Sequence, residues 1–415
     1  MAKLLGKERK FIINLFLTTV LGGIVGLLNY AFNILVAKYT SPVIFGTFSA
    51  ALGIIYLSQI AGTSVQSLVT KTVAQNKDKD LNTYKWSSLI SFSILGVVVA
   101  GIFFLLRHPI AEIASLPVEY MLYLAIALIF SFISPVSKGL LLGEEKVITV
   151  NFILLGETLL RFLVGVIAIN RGGDIPLLIL SNTIPTIATT ILIIPLLQYK
   201  TVKKKIVGQN WKEFFLMSIS FLLLTMPFTL DLILVNEAFR AEYSSLSLLG
   251  KIVYFACVIT SSVMFARLTN EEKAKRKRRS LLIALALSLA IGVVLSAIFF
   301  LFGELVVKFS VGEQYLSIVK YLGIFGLCMT GYSIVYMIAN YFISNNTYSY
   351  ILILFCATVL QIILFTLRNS SIDIVVKNQI VLYSLLTLST ILFLAIKFIK
   401  DIRDEKKEKN NKRKN

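Results

Sequence analysis

Glu157 and Arg161 stand four residues apart inside the apolar run 147–169. That order and spacing put opposite charges on one helix face, where they can pair. An ionised side chain at the centre of a membrane helix costs about 2.5–3.5 kcal/mol on insertion scales, so such residues turn toward a protein interior or a cavity. Two chemistries fit. The planar fork of Arg161 suits phosphate because it binds two oxygens at once, with Glu157 tuning its charge or carrying a proton. Alternatively, the two neutralise each other as a structural pair. Asp231 and Lys251, in successive apolar runs, are a second such set. They read either as an ion pair between neighbouring helices or as an outer gate or cation-coupling site. Asn29 and Asn33 lie four apart on the first run, and Gln59 and Gln66 lie on the second. These amides either line a cavity or hydrogen-bond helix to helix.

Other chemistry is excluded by what is scarce. The chain has one histidine, His108, in what reads as a short loop, and three cysteines, Cys257, Cys328 and Cys356, each inside a long apolar run. No clustered thiols or imidazoles are available for a zinc or iron site. The cysteines read as small core hydrophobes. A serine–histidine or cysteine–histidine mechanism would have to pass through His108 alone. No metal, cofactor or catalytic residue is expected.

The elements that must position these charges are membrane helices. The chain of 415 residues is 57% hydrophobic and 15% charged, with mean hydropathy +0.82. Soluble domains sit near about 45–50% and 25%, so a cytoplasmic or secreted domain is excluded. A spanning helix needs about 20 mostly apolar residues, and such runs fall near 11–37, 43–69, 86–106, 120–142, 147–169, 177–197, 213–235, 244–266, 281–302, 318–342, 348–367 and 379–398. The first run lacks a small-residue cleavage site and reads as a span, not a removable signal. With the N-terminus placed in the cytoplasm, 31 of the 41 Lys and Arg residues fall on the cytoplasmic side, counting Lys85 and Lys138 there. That bias predicts both termini inside the cytoplasmic membrane of the cell and accounts for most of the net charge of +19. Trp86 and Trp211 each precede a span on that side, at the depth of an aromatic belt.

The basic connection 198–212 divides the spans six and six, giving an N-terminal lobe over 1–197, a C-terminal lobe over 213–398 and a basic tail over 399–415. Ile34-Leu35-Val36 matches Ile233-Leu234-Val235, and Tyr56 aligns with Tyr254, as in a duplicated transporter with parallel halves. Pro135, Pro185 and Pro227 fall within spans, either as hinges or as ordinary membrane-helix prolines. Gly22 and Gly26 on the first run, and Gly323, Gly326 and Gly331 on the tenth, read as close-packing or dimerisation positions. The tail lacks apolar spacing and reads as disordered, its cations resting on anionic membrane lipids. No aromatic interleaving or reader motif accompanies the basic stretches, so nucleic acid is not an expected partner.

The stretch Ile34-Leu-Val-Ala-Lys38-Tyr-Thr-Ser-Pro42-Val-Ile-Phe45-Gly46-Thr-Phe48 resembles the first outer loop and second helix of bacterial polysaccharide flippases. Asp231-Leu-Ile-Leu-Val-Asn236 is similar to their seventh helix, and Val311-Gly312-Glu313-Gln-Tyr315 to the segment before their tenth. The chain departs at Ser244, where that family's eighth helix usually has glycine. The resemblance is to the oligosaccharide-lipid flippase branch of the multidrug/oligosaccharidyl-lipid/polysaccharide (MOP) exporter superfamily, and it spans nearly the whole chain. It implies an all-α fold of twelve helices in two lobes. It also implies alternating access that carries an undecaprenyl-pyrophosphate-linked oligosaccharide to the outer leaflet, with H+ or Na+ as the expected coupling ion. On that footing Arg161 meets the pyrophosphate in a cavity lined by Asn29, Asn33 and Gln59, while Glu157, Asp231 and Lys251 couple or pair. A cation-coupled multidrug antiporter of the same superfamily is the alternative, which Arg161 disfavours; an uncoupled scramblase is not separable by sequence. A polytopic enzyme would need an acid, base or metal site, often on a sizeable loop, whereas the longest outer connections are about fifteen residues.

Overall fold

The computed structural model describes residues 2–76, 81–197, 208–270, 274–344, 347 and 349–414; for 2–19, 196, 259–270, 274–276, 343, 344, 402 and 404–414 the backbone alone is described. Most of the 198–212 connection and the basic residues at 77 and 79 therefore lie outside the described residues. Among the described residues there are thirteen α-helices and no strand. In order they are α1 (Ala2–Tyr39), α2 (Pro42–Gln75), α3 (Leu81–Leu105), α4 (Arg107–Ala114), α5 (Tyr120–Gly143), α6 (Val147–Asn170) and α7 (Ile175–Ile193). Then follow α8 (Trp211–Leu234), α9 (Arg240–Asn270), α10 (Ala274–Ser310), α11 (Val319–Ser344), α12 (Ile351–Leu367) and α13 (Ile372–Lys414). Each of the twelve expected spans overlaps one α-helix. Ten stretches among the described residues are long and apolar enough to cross a membrane, and α12 is a shorter apolar helix. The protein is an all-α, multi-pass membrane protein.

Helix starts follow local chemistry. Ser41 caps α2 by accepting from the Ile44 backbone N–H at 3.4 Å, with Pro42 at the first helical position. Asp174 caps α7, accepting from Leu177 N–H at 3.1 Å. Between α6 and α7 the chain turns through Gly172 and Gly173, with φ of 82° and 83°, a backbone region that favours glycine.

Lipid tails are as apolar as leucine, so helix association in a membrane rests on close van der Waals contact. Glycine supplies the closeness. A β-carbon at Gly139 of α5 would stand 2.9 Å from Val69 Cβ of α2, and one at Gly143 would stand 2.5 Å from Val73 Cβ. Around this seam Val69, Phe92, Phe132, Val136, Leu140 and Phe214 form a buried apolar cluster.

The chain divides into two compact units, Met1–Ile233 and Leu234–Asn415. The division falls one helix later than the 198–212 connection, because α8 is held by the first unit. The Trp211 and Phe214 rings lie 5.5 and 5.4 Å from Phe92 of α3, and Glu213 forms an ion pair with Lys71 of α2. In the second unit the expected thin face of α11 is present. A β-carbon at Gly326 would stand 2.9 Å from Ser296 Oγ of α10, and one at Gly331 2.7 Å from Thr387 Oγ1 of α13.

Four expectations are corrected. Gly22 and Gly26 are exposed, and a β-carbon at Gly26 would meet nothing within 4 Å, so they are not close-packing positions within their unit. His108 lies on the short helix α4, not in a loop. The expected end of the ninth span, residue 302, is a kink at Phe302 (φ −123°, ψ 20°), after which α10 runs on to Ser310. The tail is helical to Lys414, since Lys, Arg and Glu are good helix formers and α13 is already nucleated by its apolar part.

Candidate functional site

The first unit contains a polar seam through its apolar interior, built from α1, α2, α5, α6 and α7. Arg161 projects from the middle of α6 toward α1 and is 9% exposed. Its Nη1 donates to Asn29 Oδ1 at 2.8 Å and its Nη2 to Asn33 Oδ1 at 3.1 Å. The two asparagines, one helical turn apart on α1, thus each give a carbonyl oxygen to one arm of the fork. Their amide nitrogens fix that orientation: Asn29 Nδ2 donates to Val25 O at 3.0 Å and to Thr158 Oγ1 at 3.3 Å, and Asn33 Nδ2 to Tyr56 Oη at 3.4 Å. The guanidinium stacks over the Phe32 ring with 4.5 Å to its centroid. Phe32 is itself held edge-on by Phe48 and Phe162. Room for it comes from Gly165, one turn beyond Arg161, where a β-carbon would stand 1.9 Å from Phe32 Cε2.

Arg161 is therefore not neutralised by a carboxylate. Its partners are two amides and an aromatic face, and none of the described carboxylates reaches it. Its Nε is buried with no hydrogen-bond partner. The expected pairing with Glu157 does not form. Glu157 Oε2 instead takes Lys138 Nζ of α5 at 2.7 Å, and its Oε1 accepts from Thr189 of α7. The i,i+4 spacing allows a pair, but Glu157 turns toward α5 and α7 and Arg161 toward α1.

Of the residues expected at the site, Asn29, Asn33 and Arg161 come together. Gln59 is exposed on α2 and makes none of these contacts. Asp231 is fully buried in the first unit, its Oδ1 accepting from Leu232 N–H at 2.9 Å. Lys251 is buried in the second unit, at 7% exposure.

Sequence reasoning missed Lys138, Thr189, Tyr56 and Phe32. Lys138 was counted as a cytoplasmic loop charge, yet α5 continues past it to Gly143. The signal is present: the apolar run 120–142 already encloses it, with Leu140-Leu141-Leu142 following. Lys85 was misplaced in the same way. It is 4% exposed and donates to Ile194 O at 3.0 Å and Leu197 O at 2.6 Å, closing the C-terminal end of α7. Arg240, counted outside, is also buried, donating from Nη2 to Val235 O at 2.9 Å beyond the end of α8.

A cation held in a buried seam by neutral groups is suited to receive an anion. Comparison with known proteins bears on which kind. A family model described as polysaccharide biosynthesis protein matches residues 11–233, more than half of the chain and the whole polar seam. No curated protein matches the chain. Among solved structures, the chain is similar to the lipid II flippase MurJ in an inward closed conformation, with a TM-score of 0.74 at 15% identity over 92% of this chain and 87% of that one. It is similar to an inward-facing multidrug resistance MATE family transporter of the MOP superfamily, with a TM-score of 0.68 at 16% identity over 90% of this chain and 95% of that one. An outward-facing structure of such a transporter gives a TM-score of 0.65 at 17% identity over 94% and 96%. At these identities the likeness speaks to fold. A polytopic fold shared with MOP-superfamily transporters, together with a sequence match over more than half its length, makes this chain a member of the polysaccharide biosynthesis protein family.

Proposed function

We propose that the protein is an alternating-access flippase that moves an undecaprenyl-diphosphate-linked oligosaccharide across the cytoplasmic membrane for cell-surface polysaccharide assembly. The observation that carries this reading is the buried, unneutralised Arg161 held by Asn29 and Asn33. An uncompensated cation in a low-dielectric interior is costly. A phosphate docking on its free donors repays that cost with charge-assisted hydrogen bonds. Asn29 and Asn33 aim the fork, and Gln59 adds a polar position on α2. The membership in a polysaccharide biosynthesis family supports a glycan cargo, and the likeness to a lipid II flippase supports a lipid-diphosphate carrier. Both termini lie in the cytoplasm in this reading, and the bodies that rock are the two units divided after Ile233, with α8 in the first, in place of the lobes 1–197 and 213–398. H+ or Na+ is the coupling ion, with Asp231 and Lys251 as the candidate coupling or pairing groups.

A second reading, a cation-coupled multidrug antiporter, is favoured by the buried carboxylate of Asp231, which would suit a cationic drug or coupling ion. The two separate in proteoliposomes. Purified protein translocates a fluorescent lipid-diphosphate oligosaccharide on the first reading. On the second it leaves that lipid in place and exchanges a cationic dye for H+ or Na+.

A further inference from the structure

One cation suffices to bind one phosphate, yet the same seam holds a second, Lys138, against the residue one helical turn before Arg161. Glu157 precedes Arg161 by four residues, about 6 Å along α6, and Lys138 Nζ lies 2.7 Å from its Oε2. The Lys138 and Glu157 side chains are only 11% and 13% exposed, so this ion pair is formed at the cost of desolvating both charges. Apolar residues could fill the same space. The Lys138 ammonium has three donors, and Glu157 is its one side-chain partner among the described residues. The carboxylate's second tie is exchangeable. Its other oxygen accepts from Thr189, whose single hydroxyl hydrogen has two further acceptors in reach, Pro185 O at 3.0 Å and Thr186 O at 3.2 Å. Thr189 can release Glu157 without losing its hydrogen bond.

We propose that Lys138 is the second cation of the Arg161 anion site, held by Glu157 while the site is empty, and that it makes the site select a diphosphate over a monophosphate. This rests on the reading of the site as one for a lipid-linked diphosphate. Arg161 takes one phosphate. The other displaces the Glu157 carboxylate from Lys138, and Thr189 turns its hydrogen to the α7 backbone. A monophosphate engages Arg161 alone and leaves the Lys138–Glu157 pair closed. Return of Glu157 to Lys138 expels the diphosphate after transport. Glu157 is thus a competitor that keeps binding weak enough for turnover, and Lys138 a specificity-determining residue.

The test measures binding of farnesyl diphosphate and farnesyl phosphate to the purified full chain in detergent. Wild type binds the diphosphate about tenfold or more tightly than the monophosphate, the worth of one charge-assisted contact. Lys138→Gln lowers diphosphate affinity to the monophosphate level and leaves the monophosphate unchanged. Because that variant leaves a buried carboxylate unpaired, the double variant Lys138→Gln/Glu157→Gln repeats the comparison with both charges removed. Glu157→Gln alone tightens the diphosphate and slows its transport. Equal binding of the two probes by wild type, an undiminished preference in either Lys138 variant, or no tightening in Glu157→Gln overturns the assignment and leaves Arg161 as a phosphate site. Binding of neither probe by wild type removes the lipid-diphosphate reading itself.

Discussion

Arg161 Nη1 stands 2.8 Å from Asn29 Oδ1, a cation on α6 answered by an amide on α1. The same place filled by aspartate would give a closed salt bridge and a silent interior. The amide fixes the direction of the fork and leaves its charge in force, which is what an anion-binding site needs.

Asn29→Asp tests that distinction. The substitution keeps size and supplies the missing carboxylate at hydrogen-bond distance, in exchange for the amide's bonds to Val25 O and Thr158 Oγ1. The expected result is a melting temperature equal to or above wild type in detergent, with lipid-diphosphate transport reduced at least about tenfold. Unchanged transport would mean that the charge of Arg161 has no part in substrate binding.

Gly165 and Gly26 should respond oppositely to alanine. A β-carbon at Gly165 would collide with Phe32, the ring beneath Arg161, whereas one at Gly26 meets open space. Gly165→Ala is expected to destabilise by about 1–3 kcal/mol and to weaken anion binding through the displaced ring. Gly26→Ala is expected to be neutral or stabilising by up to about 1 kcal/mol, since alanine is the better helix former. Thermal unfolding followed by tryptophan fluorescence checks both.

Lys85 is expected to matter for stability and not for cargo. Lys85→Met removes the donor to Ile194 O and Leu197 O at the end of α7. Each buried carbonyl left without a partner costs about 1–3 kcal/mol. The variant should melt lower while retaining wild-type affinity for farnesyl diphosphate.

The attachment of α8 to the first unit is carried by rings more than by its ion pair. Phe214→Ala opens the cluster around Phe92 and should cost about 3–5 kcal/mol. Lys71→Ala removes a partly exposed pair with Glu213 and should cost less than about 1 kcal/mol. Equal effects would contradict this ranking.

The helices were legible because each membrane span must satisfy its own backbone hydrogen bonds and so writes a long apolar run into the sequence. Arg161, Asn29 and Asn33 were legible for a related reason: polar groups in such runs are costly and stand out. What they bond to was not. Glu157 and Arg161 share spacing but not partners, because α1 offers its amides to Arg161 while α5 and α7 offer a cation and a hydroxyl to Glu157. Lys138 and Lys85 were hidden because a cation near the end of an apolar run looks the same whether it faces headgroups or turns inward. Gly165 and Gly139 gave no periodic signal, since close approach depends on the neighbouring helix and not on the glycine's own sequence.

The most direct measurement is the initial rate at which purified protein in liposomes moves a lipid-diphosphate oligosaccharide, compared between wild type and Arg161→Gln at matched incorporation. Glutamine keeps a polar amide at this position but carries no charge. Wild type should translocate the lipid and Arg161→Gln should fall at least about tenfold below it, the worth of a charge-assisted phosphate contact. Translocation by the variant at the wild-type rate would contradict the placement of the anion on Arg161.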